Sequence, residues 1–228
     1  METKKTKEPQ CQIEYDSYLT QGPVKLGAWT SWIWRSDPKH LSFTLARYKF
    51  CAKLLDGKKT ALEVGCGDAF GVPIVLQSVE NVHGIDFEPI VIDEIKALIG
   101  KELSKRCSFS VIDFTNKYMD KKFEAAYSLD VLEHIPKENE QKFMDNICKS
   151  LHSDGVCIIG TPNIEAWRFA NPLSMEGHIN LKSAETLKSL MEAHFTNVFI
   201  FSMNDEIVHT GYYGMAHYLF GLGVGKKK

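Results

Sequence analysis

The chain has 228 residues, 44% of them hydrophobic, and a formal net charge of -2. That length suits one α/β domain with a short appendage, and that apolar share is enough for a core, which excludes a chain disordered throughout. Phosphate binding needs clustered Lys and Arg, so the absence of a basic stripe argues against nucleic acid as a partner. The basic runs are terminal, Lys4, Lys5 and Lys7 and then Lys226 to Lys228, and read as solvated tails. The six cysteines (Cys11, Cys51, Cys66, Cys107, Cys148, Cys157) make no C-x-x-C pair. A zinc site therefore has no support, and buried free thiols in a reducing compartment are expected. The N-terminus lacks an apolar signal region and no run reaches membrane-spanning length, so a cytoplasmic protein without a membrane span is expected.

In chain order, residues 1 to about 20 are polar and read as loose. Trp29, Trp32 and Trp34 then crowd together, and a helix is predicted after Asp37-Pro38 with Phe43, Arg47 and Phe50 roughly on one face. From Thr60 onward short apolar runs alternate with amphipathic stretches. The runs are 61–64, 82–85, 109–112, 125–129 and 156–159. One helix begins at Pro89 and carries Ile92, Ile95, Leu98 and Ile99. Another begins at Pro136, with Phe143, Met144, Ile147, Cys148 and Leu151 on one face; Pro suits a first helical turn, where its missing N–H has no partner anyway. A helix over 184–194, a strand around 198–201 and an apolar stretch over 218–224 close the chain. Strand–helix alternation of this kind predicts a parallel sheet covered on both faces.

The most informative stretch is Leu62-Glu63-Val64-Gly65-Cys66-Gly67-Asp68-Ala69-Phe70-Gly71, which follows the first strand. Glycines there let the backbone turn sharply and let a ligand approach the main chain. A nicotinamide site needs G-x-G-x-x-G to cradle a pyrophosphate, and Phe70 occupies the third glycine position. Glu63 at the strand end repels a phosphate but holds a cation. Two more acids close the next runs, Asp86 followed by Phe87 and Asp113 followed by Phe114. Asp86 is placed to accept from ribose hydroxyls, and Asp113 from an adenine amino group with Phe114 against the ring. A strand-end Asp also caps helices on its own account. Three acids at successive strand ends describe an adenosine pocket without phosphate recognition.

On these residues the chain resembles the class I S-adenosylmethionine (SAM)-dependent methyltransferases. Residues 62–67 resemble that family's first motif, and Asp86 and Asp113 match the acids that follow it. The run Ser128-Leu129-Asp130-Val131-Leu132-Glu133-His134-Ile135-Pro136 resembles the segment after the fourth strand in the ubiquinone-type O-methyltransferase group, and 155–163, ending Thr161-Pro162-Asn163, resembles its fifth strand. The resemblance covers about 55–165. It implies a doubly wound, Rossmann-like α/β fold: a seven-stranded, mostly parallel sheet with an antiparallel last strand and helices on both faces. It implies SAM as cofactor, leaving S-adenosylhomocysteine, held by Glu63, Gly65, Cys66, Gly67, Asp86, Phe87, Asp113, Phe114 and Leu129. Ala69 stands where many members have a third glycine. Residues 1–50 are expected to form an N-terminal segment and helical lid, and 51–228 the methyltransferase domain, with acceptor elements in 165–228.

Methyl transfer from a sulfonium is an in-line displacement of an already activated donor, so the protein mainly holds acceptor and methyl in line. An acceptor hydroxyl must also lose a proton, and His134, at the carboxyl edge after the fourth strand, is the candidate base; the other reading makes it a cap on the next helix. The resemblance offers a divalent metal on Asp130, Glu133 and His134. The expectation is that there is no metal, because Asp130 is one methylene short and no further acid or histidine lies adjacent to complete a site. Trp29, Trp32 and Arg35 belong to a possible lid over the sulfonium, against which stands packing of at least one ring onto the sheet. Asn163, His178, Tyr212 and His217 are candidate acceptor contacts. The expected function is methylation, at oxygen, of a small polar or sugar-linked acceptor. Competing readings are a SAM-binding module without turnover and a nicotinamide oxidoreductase.

Overall fold

A computed structural model describes residues 5–170 and 172–227; Lys4 and Lys228 of the terminal basic runs lie outside the described residues. Eight strands form one sheet: β1 (Thr60–Val64), β2 (Asn81–Asp86), β3 (Cys107–Val111), β4 (Phe123–Leu129), β5 (Leu151–Pro162), β6 (Phe195–Asn204), β7 (Ile207–His209) and β8 (Tyr218–Lys226). Their spatial order is β3-β2-β1-β4-β5-β8-β6-β7. The first five are parallel, and β8 inserts between β5 and β6, antiparallel to both. The expected seven strands are therefore present, with a short eighth, β7, added as an edge hairpin on β6. Its turn uses Asp205 in the left-handed region, φ 50°, rather than a glycine, so the hairpin carries no Asn-Gly signal of the usual kind.

Eight helices accompany the sheet among the described residues: α1 (Pro9–Gln21), α2 (Ala28–Ser36), α3 (Lys39–Leu54), α4 (Val72–Val75), α5 (Pro89–Leu98), α6 (Glu140–Lys149), α7 (Pro172–Gly177) and α8 (Ala184–Glu192). The segment read as loose is helical over α1, started by Pro9 and stopped by Gly22 at φ 77°, yet it buries no residue. The helix expected from Pro136 begins at Glu140, after a short 3-10 turn over 137–139, and Leu151 opens β5 rather than closing the helix. A Ser183–Thr186 capping box fixes the start of α8, satisfying two backbone donors that the helix itself leaves free.

Each face of the sheet carries its own apolar layer. One joins Cys51 and Leu55 beside α3, Val72 and Val75 of α4, and Val91, Ile92 and Ile95 of α5. The other joins Phe143, Met144 and Ile147 of α6 with Leu187, Leu190 and Met191 of α8. Each such side chain contributes about 1.5–3 kcal/mol on full burial. Strand order reverses between β1 and β4, and in open α/β sheets that switch point opens a ligand crevice at the carboxyl edge. Among the described residues no helix is long and apolar enough to cross a membrane.

Candidate active site

The loop after β1 is fastened to the end of β2. The N–H groups of Gly65 and Cys66 both donate to the Ile85 carbonyl, at 2.8 and 2.9 Å. Gly67 N donates to Asp86 Oδ2 at 3.0 Å, and Glu88 N donates to Asp86 Oδ1 at 3.1 Å. Gly65 and Gly67 sit at φ 78° and 50°, the left-handed region that glycine enters freely. Ala69 lies there too, at φ 59°. That is why a glycine serves well at this position, and an alanine there costs about 1–2 kcal/mol. Gly71 is required for another reason: a Cβ on it would stand 2.1 Å from the Tyr48 ring of α3.

Glu63 is 1% exposed, and Tyr127 Oη donates to its Oε2 at 3.0 Å. Burial pushes this carboxyl up to about 8, against the hydrogen bonds from Tyr127 and Tyr48 and with further upward push from Asp86 and Asp68. Three acids thus converge on one loop, a surrounding that favours a cationic guest. Burial first, and then Glu63, raises the Cys66 thiol far above its ordinary range, so it is an inert wall rather than a nucleophile.

The sequence-predicted adenosine residues divide. Phe87 is 65% exposed beside Asp86, a ring open to a planar guest. Asp113 lies past the end of β3, where its Oδ1 accepts from Thr115 N and Oγ1 and its Oδ2 from Asn116 Nδ2. Partial burial alone raises its carboxyl, and these donors outweigh that and hold it below its usual range. Phe114 is 4% exposed and packs in the α6-side core. Leu129 is buried at the end of β4, against Gly160 of β5, where a Cβ would stand 2.6 Å from Leu129 Cδ2.

Beyond β4 the chain makes a polar cluster. Asp130 adopts φ 57°, and both its oxygens accept from Arg47 Nη1 of α3, at 2.8 and 2.7 Å. The Arg47 guanidinium lies 3.8 Å from the Tyr218 ring centre. Glu133 is fully buried; its Oε2 accepts from Thr161 Oγ1 at 3.1 Å, while its Oε1 has no partner. His134 Nδ1 donates to the Gly177 carbonyl at 2.9 Å. A carbonyl only accepts, so Nδ1 carries a proton, and in the neutral ring Nε2 is the nitrogen with the lone pair. The His178 ring stands 5.0 Å from that of His134, edge to face. It arrives there because Asn180 N donates to the Glu133 carbonyl at 3.0 Å, while buried Lys182 is tied to Glu140. Ligand atoms of Glu133, His134 and His178 lie within 4.8 Å of one another. The expectation that nothing adjacent completes a metal set is thereby corrected: chain folding supplies His178, while Asp130 is committed to Arg47.

Residues 35–197 match a family model, Methyltransf_23, described as a methyltransferase domain. The chain belongs to this methyltransferase family. No curated protein matches the sequence. Among solved structures, the methyltransferase domain of bacterial CtHen1 is similar at TM-score 0.64 and 17% identity, covering 80% of this chain and 99% of that one. The N-methyltransferase NodS from Bradyrhizobium japonicum WM9, bound to S-adenosylhomocysteine, gives 0.62 and 16%, covering 92% and 98%. The plantazolicin methyltransferase BpumL, also with that product, gives 0.63 and 13%, covering 95% and 98%. SAM is the cofactor of this methyltransferase.

The remaining acceptor candidates of the methyltransferase are spread out. α2 is pinned above the glycine loop: Asp68 accepts from Thr30 N and Thr30 Oγ1, both at 2.8 Å, and Ala28 N donates to Glu94 at 3.0 Å. These carboxylates satisfy free donors at the positive end of the helix. Trp29, Trp32 and Trp34 stay 50, 56 and 59% exposed, which corrects the reading that one of them packs onto the sheet; the buried residue of α2 is Thr30, held on Asp68 of the glycine loop. Arg35 is exposed at the end of α2, and the guanidinium at the site is that of Arg47. Asn163 is also a correction as an acceptor contact. Its Nδ2 donates to the Tyr213 and Ala216 carbonyls and its Oδ1 accepts from Glu165 N, so it pins the tail and has no donor left over. His217 lies near Phe169, on a cavity separate from the His134–His178 pair, and Tyr212 is 74% exposed beside His209. Arg47, Thr161, Tyr218 and Asp68 were missed as site residues: the first three reach the site from elements distant in sequence, and Asp68, inside the glycine loop, shows its role only through Thr30 of α2.

Proposed function

We propose that this enzyme moves the methyl group of SAM to a hydroxyl oxygen of a small polar or glycan-linked acceptor, with His134 taking the acceptor's proton. The observation that carries the reading is the fixed tautomer of His134: the Gly177 carbonyl holds Nδ1–H and leaves the Nε2 lone pair free at the carboxyl end of β4. The acceptor oxygen attacks the methyl carbon as the carbon–sulfur bond breaks. The electron pair returns to sulfur, forming S-adenosylhomocysteine, and the proton passes to Nε2. NodS is an N-methyltransferase of the same fold, so the fold leaves the acceptor atom open and a positioned base is what favours oxygen. Screening hydroxylated sugars and small metabolites with methyl-labelled SAM tests this. Label found only on nitrogen overturns it, and SAM bound without turnover of any acceptor supports the binding-module reading instead.

In this reading Asp86 takes the ribose hydroxyls, Phe87 flanks the adenine, Asp113 accepts from its amino group, and Glu63 balances the methionyl ammonium. Glu63 gives a pH signature. Raised to about 8, it is mostly protonated at pH 7 without cofactor. An unfolded Glu ionises near 4.3, so the cofactor-free fold loses stability as pH rises from about there to about 8. A bound cation favours the carboxylate, so SAM binding releases a proton and affinity rises with pH over about 6–8. Calorimetry at pH 7 in buffers of different ionisation enthalpy is expected to show release approaching one proton, and Glu63→Gln is expected to abolish it. Release unchanged in Glu63→Gln removes Glu63 from the cofactor's charge balance.

A second reading is favoured by the unpartnered Glu133 oxygen beside His134 and His178. These three residues fit a divalent cation, which would polarise the acceptor hydroxyl. Against it, burial first, then Asp130, pushes Glu133 up to about 8, so the carboxyl is mostly protonated at neutral pH and a cation must displace that proton. Exhaustive chelation at pH 7 is expected to leave turnover unchanged. A loss restored by magnesium or manganese makes His134 a ligand and not the base.

A further inference from the structure

The carboxyl edge of the sheet holds the methyl-transfer site, and the opposite edge also holds a cavity, of about 430 Å³. It opens where four parallel strands begin: Thr60 of β1, Asn81 of β2, Cys107 of β3 and Phe123 of β4 line it. Its volume falls in the range of small-molecule sites. In a chain of net charge -2 the lining is one-sided. Lys105, Arg106 and Lys121 carry positive charge, His83, Ser104 and Ser108 offer polar side chains, and no carboxylate is among the lining residues. Arg106 is built into the wall, donating through Nε to Glu80 O and through Nη2 to Leu76 O and Val79 O. Lys105 is paired with Glu102 at 2.7 Å, a solvent-exposed pair worth little and readily exchanged.

His83 supplies the second observation. Its ring stacks on Phe123 with centroids 6.0 Å apart, and its Nδ1 shares a 2.7 Å hydrogen bond with Ser108 Oγ. Its Nε2 is buried and has no partner. A buried polar nitrogen left unmatched destabilises the fold. When Ser108 Oγ donates to Nδ1, Nε2 carries the ring proton with no acceptor beside it.

From this we propose that the cavity at the amino edge of the sheet is a second ligand site, which takes a phosphate-bearing small molecule. Its lysines act as point charges on the phosphoryl oxygens, and Ser104, Ser108 and Asn81 are the neutral hydrogen-bonding groups around them. The site is independent of the methyl-transfer chemistry. β1, β2 and β4 nevertheless run from it directly to Glu63, Asp86 and Leu129, so it sits about 10–20 Å from the cofactor crevice along the strands.

The test uses the full chain saturated with S-adenosylhomocysteine, so that the cofactor crevice is closed to the probe. Inorganic phosphate and glycerol 3-phosphate are titrated calorimetrically at constant ionic strength set with chloride. Saturable binding is expected, weakened at least about tenfold in a Lys105→Ala/Lys121→Ala double variant whose S-adenosylhomocysteine affinity is unchanged. Both lysines are exposed, so the fold does not depend on them. The proposal is overturned by an absence of saturable binding, by binding that the double variant retains, or by binding that S-adenosylhomocysteine competes away.

Discussion

Replacing His134 by alanine is expected to lower turnover by about 10²–10⁴-fold, the usual contribution of a general base, while SAM affinity stays within about twofold. The split follows from where the side chain sits. The cofactor loop is held by β2 through Ile85 and Asp86, and none of those bonds involves His134. The histidine instead reaches Gly177 and His178, residues of the segment that follows β5. Removing it opens space beside the acceptor and leaves the donor in place. Single-turnover measurements with saturating SAM separate the two, since a structural cap lowers stability with little change in the chemical step. If the variant keeps nearly full activity, an acceptor nitrogen that needs no base becomes the better reading. The search for a base then moves first to His178, which stands against His134, and not to His217, which packs near Phe169.

What the sequence made legible depended on how local the physics was. β1 to β5 and the helices after Pro89 and Ser183 are set by short-range apolar periodicity and by Pro or capping signals, and they appear where those signals lie. The glycine loop was readable because its left-handed backbone demands particular residues over a few consecutive positions. The polar cluster was not. Arg47 reads as one more residue on an apolar helix face, and only the left-handed turn at Asp130, 83 residues on, gives it a partner. Tyr218 reads as the start of an apolar strand, and its ring becomes a seat for Arg47 because β8 inserts between β5 and β6. His178 looks remote from His134 until Asn180 is bonded to the backbone of Glu133. Asn163 shows the converse error: a polar residue at a strand end looked free for substrate, while its amide is spent on the tail carbonyls. Phe114 followed an acid that pointed at adenine, yet its own apolar surface is satisfied in the core.

Gly65→Val is expected to abolish SAM binding in a protein that still folds, the largest effect any single change on the cofactor side should have. Two costs add. The residue sits at φ 78°, where a β-branched side chain is strongly disfavoured. A Cβ there would also stand 2.2 Å from Val131 Cγ2, so the loop must move away from the segment after β4. Such movement breaks the paired donation of Gly65 and Cys66 to Ile85 that holds the loop beneath the cofactor. Gly67 provides the contrast: it is also left-handed, at φ 50°, but a Cβ on it meets nothing within 4 Å. Gly67→Ala should therefore cost the loop about the 1–2 kcal/mol of a left-handed alanine, the conformation Ala69 already adopts in this chain, and weaken binding by no more than that. Asp86→Ala falls between them. It loses the ribose acceptor and also the bond from Gly67 N, about 1–3 kcal/mol if the loop otherwise holds. Titration of each variant with SAM and with S-adenosylhomocysteine, beside its thermal melt, reads the order directly. A folded Gly65→Val protein that binds SAM as tightly as Gly67→Ala would show that the cofactor does not rest on this turn.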